Sequence, residues 1–69
     1  MRKFNETERQ VVRGLQSAKF NYSQITKVID LIKWYIKEGH SVVSANIDPT
    51  VLNIKFSNMH KYEIAKEEK

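Results

Sequence analysis

With 69 residues, 41% of them apolar and none of them cysteine, the chain makes one small domain without disulfides or thiolate metal sites. Its net charge of +4 favours anionic partners, although a basic balance alone does not demand one. The opening "MRKFNETERQ" has basic residues with no apolar stretch behind them, and no apolar run approaches a membrane span. Neither a signal peptide nor a transmembrane helix is therefore expected.

A cytoplasmic setting follows as an expectation, since absent cysteine fits a reducing compartment. Abundant Lys, Asn and Ile with scarce Gly and Pro fit an AT-rich genome, such as that of a low-GC bacterium or its phage. So small a core leaves oligomerisation, or docking onto another molecule, as the remaining source of stability.

In chain order, the spacing predicts a first helix over 6–19. Asn5 is a good N-cap and Glu8 can return the bond in a capping box. Phe4, Val11, Leu15 and Ala18 share an apolar stripe at about 100° per residue, with Val12 and Gly14 on its flanks. Gly14 weakens the helix by roughly 1 kcal/mol against Ala, either to admit a close crossing or as a tolerated weak point.

A second helix is predicted over 22–38, capped by Asn21 and stopped by Gly39. Ile25, Val28, Ile29, Ile32, Tyr35 and Ile36 repeat at helical spacing and make its core face. Leu31 and Trp34 fall outside that stripe. With Ile25 at zero the stripe centres near about 340°, while Leu31 lies near about 240° and Trp34 near about 180°.

The period then changes to two. "SVVSANI" and "VLNIKFS" alternate around the turn "DPT", predicting an antiparallel hairpin of strands 41–47 and 51–57. Parity sets the register: Ile47 faces Leu52, Ala45 faces Ile54 and Val43 faces Phe56, so all six share one face. In the last segment, Tyr62 and Ile64 suit a third strand over about 61–66, which the alternation favours. A helix capped by Asn58, with Met59, Tyr62 and Ala65 on its stripe, is the alternative. Residues 66–69, "KEEK", are expected to fray. The fold class is thus α+β, two N-terminal helices on an antiparallel hairpin or three-stranded meander, in a single domain over 1–69.

Chemistry-bearing patterns are lacking. Gly14 and Gly39 are isolated, so no phosphate-cradling loop is present. His40 and His60 lack the spacing of a metal pair, and the serines stand outside any nucleophile motif. The carboxylates cluster at helix starts and in the tail, where capping and solubility explain them. No enzymatic activity, cofactor or metal is expected; binding is.

Two kinds of partner are expected, and the sequence does not decide between them. The run "LQSAKFNYSQITKVIDLIKWYIKEGHSVVSANIDPTVLNIKF", within about 9–56, resembles a winged-helix DNA-binding domain. A polar turn enters an apolar-periodic helix, which passes through a glycine into a hairpin. The resemblance implies a base-reading helix start at Ser23, Gln24, Thr26 and Lys27. It further implies phosphate contacts from Arg9 and Arg13, with Arg2 and Lys3 as an arm. The other partner is a protein. Leu31 and Trp34 form an apolar ridge ringed by charges that include Lys27 and Lys37, the anatomy of an interface centre with a polar rim. Two such ridges meeting about a two-fold axis make a homodimer.

Overall fold

The computed structural model describes residues 2–67. It consists of α1 (Glu6–Ser17), α2 (Tyr22–Lys37), β1 (Val42–Ile47), β2 (Val51–Phe56) and β3 (Lys61–Ala65). The strands form one antiparallel sheet in the order β1-β2-β3. The final segment is therefore the third strand and not the helix. Both helices pack on one sheet face, where Leu52, Ile54 and Phe56 are buried against Val11, Leu15, Val28, Ile32 and Tyr35. No helix among the described residues is long and apolar enough to cross a membrane.

Local chemistry explains where the helices begin. The Asn5 side chain accepts from the Glu8 N–H at 2.8 Å, and Glu8 Oε1 accepts from the Asn5 N–H at 2.8 Å, which completes the capping box. Asn21 caps α2 in the same way, accepting from the Gln24 N–H at 2.8 Å.

Both helices end in Schellman turns, one earlier than the spacing alone predicts. After α1, the Lys19 N–H donates to Gln16 O (3.1 Å) and the Phe20 N–H to Leu15 O (3.0 Å). After α2, the Gly39 N–H donates to Ile36 O (3.0 Å) and the His40 N–H to Tyr35 O (2.8 Å). Each turn needs a left-handed residue at its pivot. Gly39 adopts φ +89° freely, whereas Lys19 holds φ 61° with a side chain in place. Lys19→Gly should therefore stabilise the fold by about 0.5–1 kcal/mol, net of the entropy that glycine adds to the unfolded chain. Urea unfolding would show this as a raised midpoint at constant slope. A lowered midpoint would mean that Lys19 makes contacts outweighing its backbone strain.

The hairpin register follows parity at its tip and departs from it at its base. Ile47 faces Leu52 and Ala45 faces Ile54, but Val42, not Val43, faces Phe56 across a bulge. The cause lies outside the hairpin. The Val42 N–H donates to Glu8 Oε2 at 3.0 Å, so α1 holds that end of β1. Val42 is thereby buried, and Val43 turns out to solvent. Gly14 has a comparable long-range explanation. A methyl group at that position would overlap Cδ1 of Ile47, so the close approach is between helix and strand.

The segment just after β3 is fastened to the junction between the helices. Lys66 Nζ donates to Ala18 O (2.8 Å), the Lys66 N–H donates to Thr50 O (2.8 Å), and Asn21 Nδ2 donates to Glu67 Oε1 (2.7 Å). These bonds hold Lys66 and Glu67, the first two residues of the segment expected to fray. Glu68 and Lys69 lie outside the described residues.

Candidate docking face on the second helix

Side chains expected to serve nucleic acid or a protein partner are sorted by the fold into two groups. One group spends its polar atoms on the chain itself. Arg2 makes a two-pronged bond with the buried Glu8, from Nη1 to Oε1 at 2.8 Å and from Nη2 to Oε2 at 2.9 Å. It also donates to the His40 carbonyl at 3.2 Å, so it closes the N-terminus onto the turn after α2.

Gln24, expected as a base reader, is buried instead. Its Nε2 donates to Ala65 O at 2.7 Å and its Oε1 accepts from the Glu67 N–H at 3.1 Å. The side chain thus turns from the helix cap to the C-terminal segment. The Thr26 hydroxyl donates to Tyr22 O one turn back, at 2.9 Å. Arg9 pairs with Glu6 at 3.2 Å, an exposed pair of small energetic weight.

The other group faces solvent. Lys3 and Arg13 are exposed, on the N-terminal segment and on α1. On α2, Ser23, Lys27, Lys33, Trp34 and Lys37 are all exposed. Trp34 is 56% exposed at mid-face, its ring edge against Tyr35 at a centroid distance of 5.1 Å. None of Lys27, Lys33 and Lys37 makes an ion pair among the described residues. The result is an indole lying between unpaired ammonium groups on a well-anchored helix.

Leu31 belongs only partly to this face. It is half-buried against the core and, with Val28 and Ile64, lines a groove of about 280 Å³ between α2 and β3. Buried positions on α2 run from Gln24 through Val28 and Ile32 to Tyr35 and Ile36, a stripe rotated towards Leu31 from the expected one. The third strand causes this. With β3 beside β2, the sheet reaches under the flank of α2 that carries Leu31, and Ile64 packs there.

A polar and aromatic cluster lies beneath the C-terminal half of the helix, and no local motif announces it. The Tyr35 ring stacks on Phe56 at 3.8 Å and 14°, and Tyr62 stands edge-on to both. The Tyr35 hydroxyl lies 2.7 Å from that of Tyr62 and 3.0 Å from His60 Nδ1. The Tyr62 hydroxyl and then burial hold the Tyr35 phenol above its ordinary pKa. These bonds satisfy the polar end of a core aromatic, and the only signal for them was a tyrosine standing on an otherwise aliphatic stripe. Nearby, His40 Nδ1 lies 3.2 Å from Ser57 Oγ in an exposed contact. Among the described residues no group of three His, Cys, Asp or Glu side chains is placed to hold a metal ion.

Comparison of the chain with protein-family models, with curated proteins and with solved structures finds no match.

Proposed function

We propose that this is a small, non-catalytic regulatory protein that docks onto another protein through the solvent face of α2. Trp34 carries the reading. It is the only tryptophan in the chain, and it is exposed at mid-helix, where Tyr22 at the helix start is the other large hydrophobic side chain of α2 left in solvent. Tryptophan contributes most to binding when a partner removes it from water at the centre of a contact. The unpaired Lys27, Lys33 and Lys37, with the exposed Asp30 and Glu38, would form a rim of both charges around it. A cytoplasmic place of work fits the absence of cysteine.

A photocrosslinking aromatic at position 34, with the exposed Gln16 on α1 as control site, tests the reading in the cells that make the protein. A discrete protein adduct from position 34 and none from position 16 supports it. Equal labelling from both sites, or none from either, contradicts it.

Nucleic acid is the second reading, favoured by the same lysines together with the exposed Ser23 and Arg13 and the winged-helix resemblance. In that case crosslinks from position 34 would be nuclease-sensitive. Affinity for duplex DNA would fall steeply with salt, and each lysine removed would flatten the slope by about one. A flat salt response removes this second reading.

A further inference from the structure

The sheet has one edge that is blocked and one that is open. Along β1 the bulge at Val43 disturbs the edge, a common device against strand pairing. The edge of β3 is regular, and its hydrogen-bond phase can be read off. The Phe56 N–H donates to His60 O at 2.9 Å and the Lys66 N–H donates to Thr50 O at 2.8 Å. In the register Ile54 to Tyr62 and Leu52 to Ile64, the backbone groups of Tyr62 and Ile64 therefore turn towards β2. Those of Lys61, Glu63 and Ala65 turn outward.

Gln24 closes one end of this edge. Its carboxamide bonds Ala65 O and the Glu67 N–H together, as one peptide of a neighbouring strand would. Lys61 and Glu63 keep outward N–H and C=O groups that meet no other element among the described residues.

We propose that this remaining edge pairs antiparallel with the same edge of a second copy, about a two-fold axis at Tyr62, so that two sheets become one. The inference goes beyond the docking reading: it uses the edge of β3, and its partner is a second copy of the chain. Backbone phase and charge together select the register. Outward residues must meet outward residues. An axis at Lys61 sets Lys61 against Lys61, and one at Ala65 needs the carbonyl that Gln24 holds, which leaves axes at Tyr62, Glu63 and Ile64 inside the strand. Glu63 opposite Glu63 sets like charges together. Glu63 opposite Ala65 needs the groups that Gln24 already holds. Lys61 opposite Glu63 of the second copy gives two opposite-charge pairs and uses only free backbone groups.

This last register also answers an imbalance in the single chain. Lys61 stands directly across the ladder from Lys55, and neither has a carboxylate within ion-pair distance among the described residues. Glu63 of the second copy would supply one beside Lys61.

The helices agree with this seam. Gln24 lies over Ala65, Leu31 shares a groove with Ile64, and Tyr35 bonds Tyr62, so α2 runs antiparallel to β3 above it. An axis at Tyr62 would bring the two α2 helices side by side, with the Leu31 and Trp34 flanks facing each other.

Sedimentation equilibrium on the full chain tests this by charge exchange. Wild type should be dimeric. Lys61→Glu and Glu63→Lys should each weaken association by about tenfold or more, since both symmetric pairs become repulsive. The combined variant Lys61→Glu/Glu63→Lys should return to wild-type association. Glu63→Pro removes an outward N–H that serves no ladder bond, and should give a folded monomer by circular dichroism.

A wild type that stays monomeric overturns the proposal, as does a dimer indifferent to the single exchanges or a combined variant as weak as either. The two readings fail separately. A monomer that still crosslinks to another protein from position 34 ends self-pairing and leaves docking in place. A dimer that obeys the exchanges but gives no adduct from position 34 does the reverse.

Discussion

Phe56→Ala is expected to destabilise the protein by about 3–5 kcal/mol, the cost of a large cavity at a fully buried site. Phe56 lies where the strongest contacts meet. Its ring stacks on Tyr35 of α2, stands perpendicular to Tyr62 of β3 at 5.7 Å, and faces Val42 of β1 across the ladder. Removing it opens a void that touches three elements at once. For a domain of this length, whose total stability is about 3–10 kcal/mol, that loss could leave little folded protein. Thr50→Ala at the exposed hairpin tip should change stability by no more than about 0.5 kcal/mol, since only its backbone is bonded. Urea titrations of the two variants check this. Comparable losses from both would contradict the placement of Phe56 at the centre of the core.

Glu8→Gln is expected to cost a similar amount, about 3–5 kcal/mol, by a different mechanism. Glu8 is 0% exposed, and its carboxylate accepts four bonds, two from Arg2 and one each from the Asn5 and Val42 N–H groups. An amide in its place presents N–H where donors already point, leaving Arg2 or Val42 unpaired. The same site sets an acid limb. Burial pushes the Glu8 carboxyl up, but the Arg2 guanidinium and the two backbone N–H groups outweigh it and hold its pKa below the ordinary 4.5. The folded state thus binds this proton more weakly than the unfolded chain does. Its stabilisation is complete above the ordinary value and is lost as pH falls through the lower, folded one. Wild type should therefore lose more stability between about pH 6 and about pH 3 than Glu8→Gln does. Parallel pH profiles for the two proteins would contradict the role given to this carboxylate.

What was legible in the sequence was local. The Asn5 and Asn21 caps, the Gly39 stop, the helical periods and the parity of the hairpin tip all depend on neighbours within a few residues, and the fold follows them. Corrections arise where a distant segment supplies the deciding bond. The bulge at Val43 depends on Glu8, which lies 34 positions before Val42. Gln24 is taken from the helix surface by Ala65 and Glu67, and Leu31 is drawn towards the core by Ile64. Arg2 is no free arm because a buried carboxylate needs a cation beside it. The early end of α1 came from a left-handed Lys19, where residue type gave no warning. Of the candidate face, the part that needed only helix geometry was readable: Trp34, Lys27 and Lys37 point to solvent as the wheel placed them.

Trp34→Lys, followed by circular dichroism and sedimentation, separates a docking side chain from a structural one. Trp34 is exposed, so a lysine there should keep the helical spectrum and leave stability within about 0.5 kcal/mol of wild type. The same charge, set against its own copy where the two α2 flanks face each other, should reduce association to a folded monomer. An unfolded chain would mean that the indole supports the core, and a folded variant that associates as wild type does would mean that α2 docks through some other face.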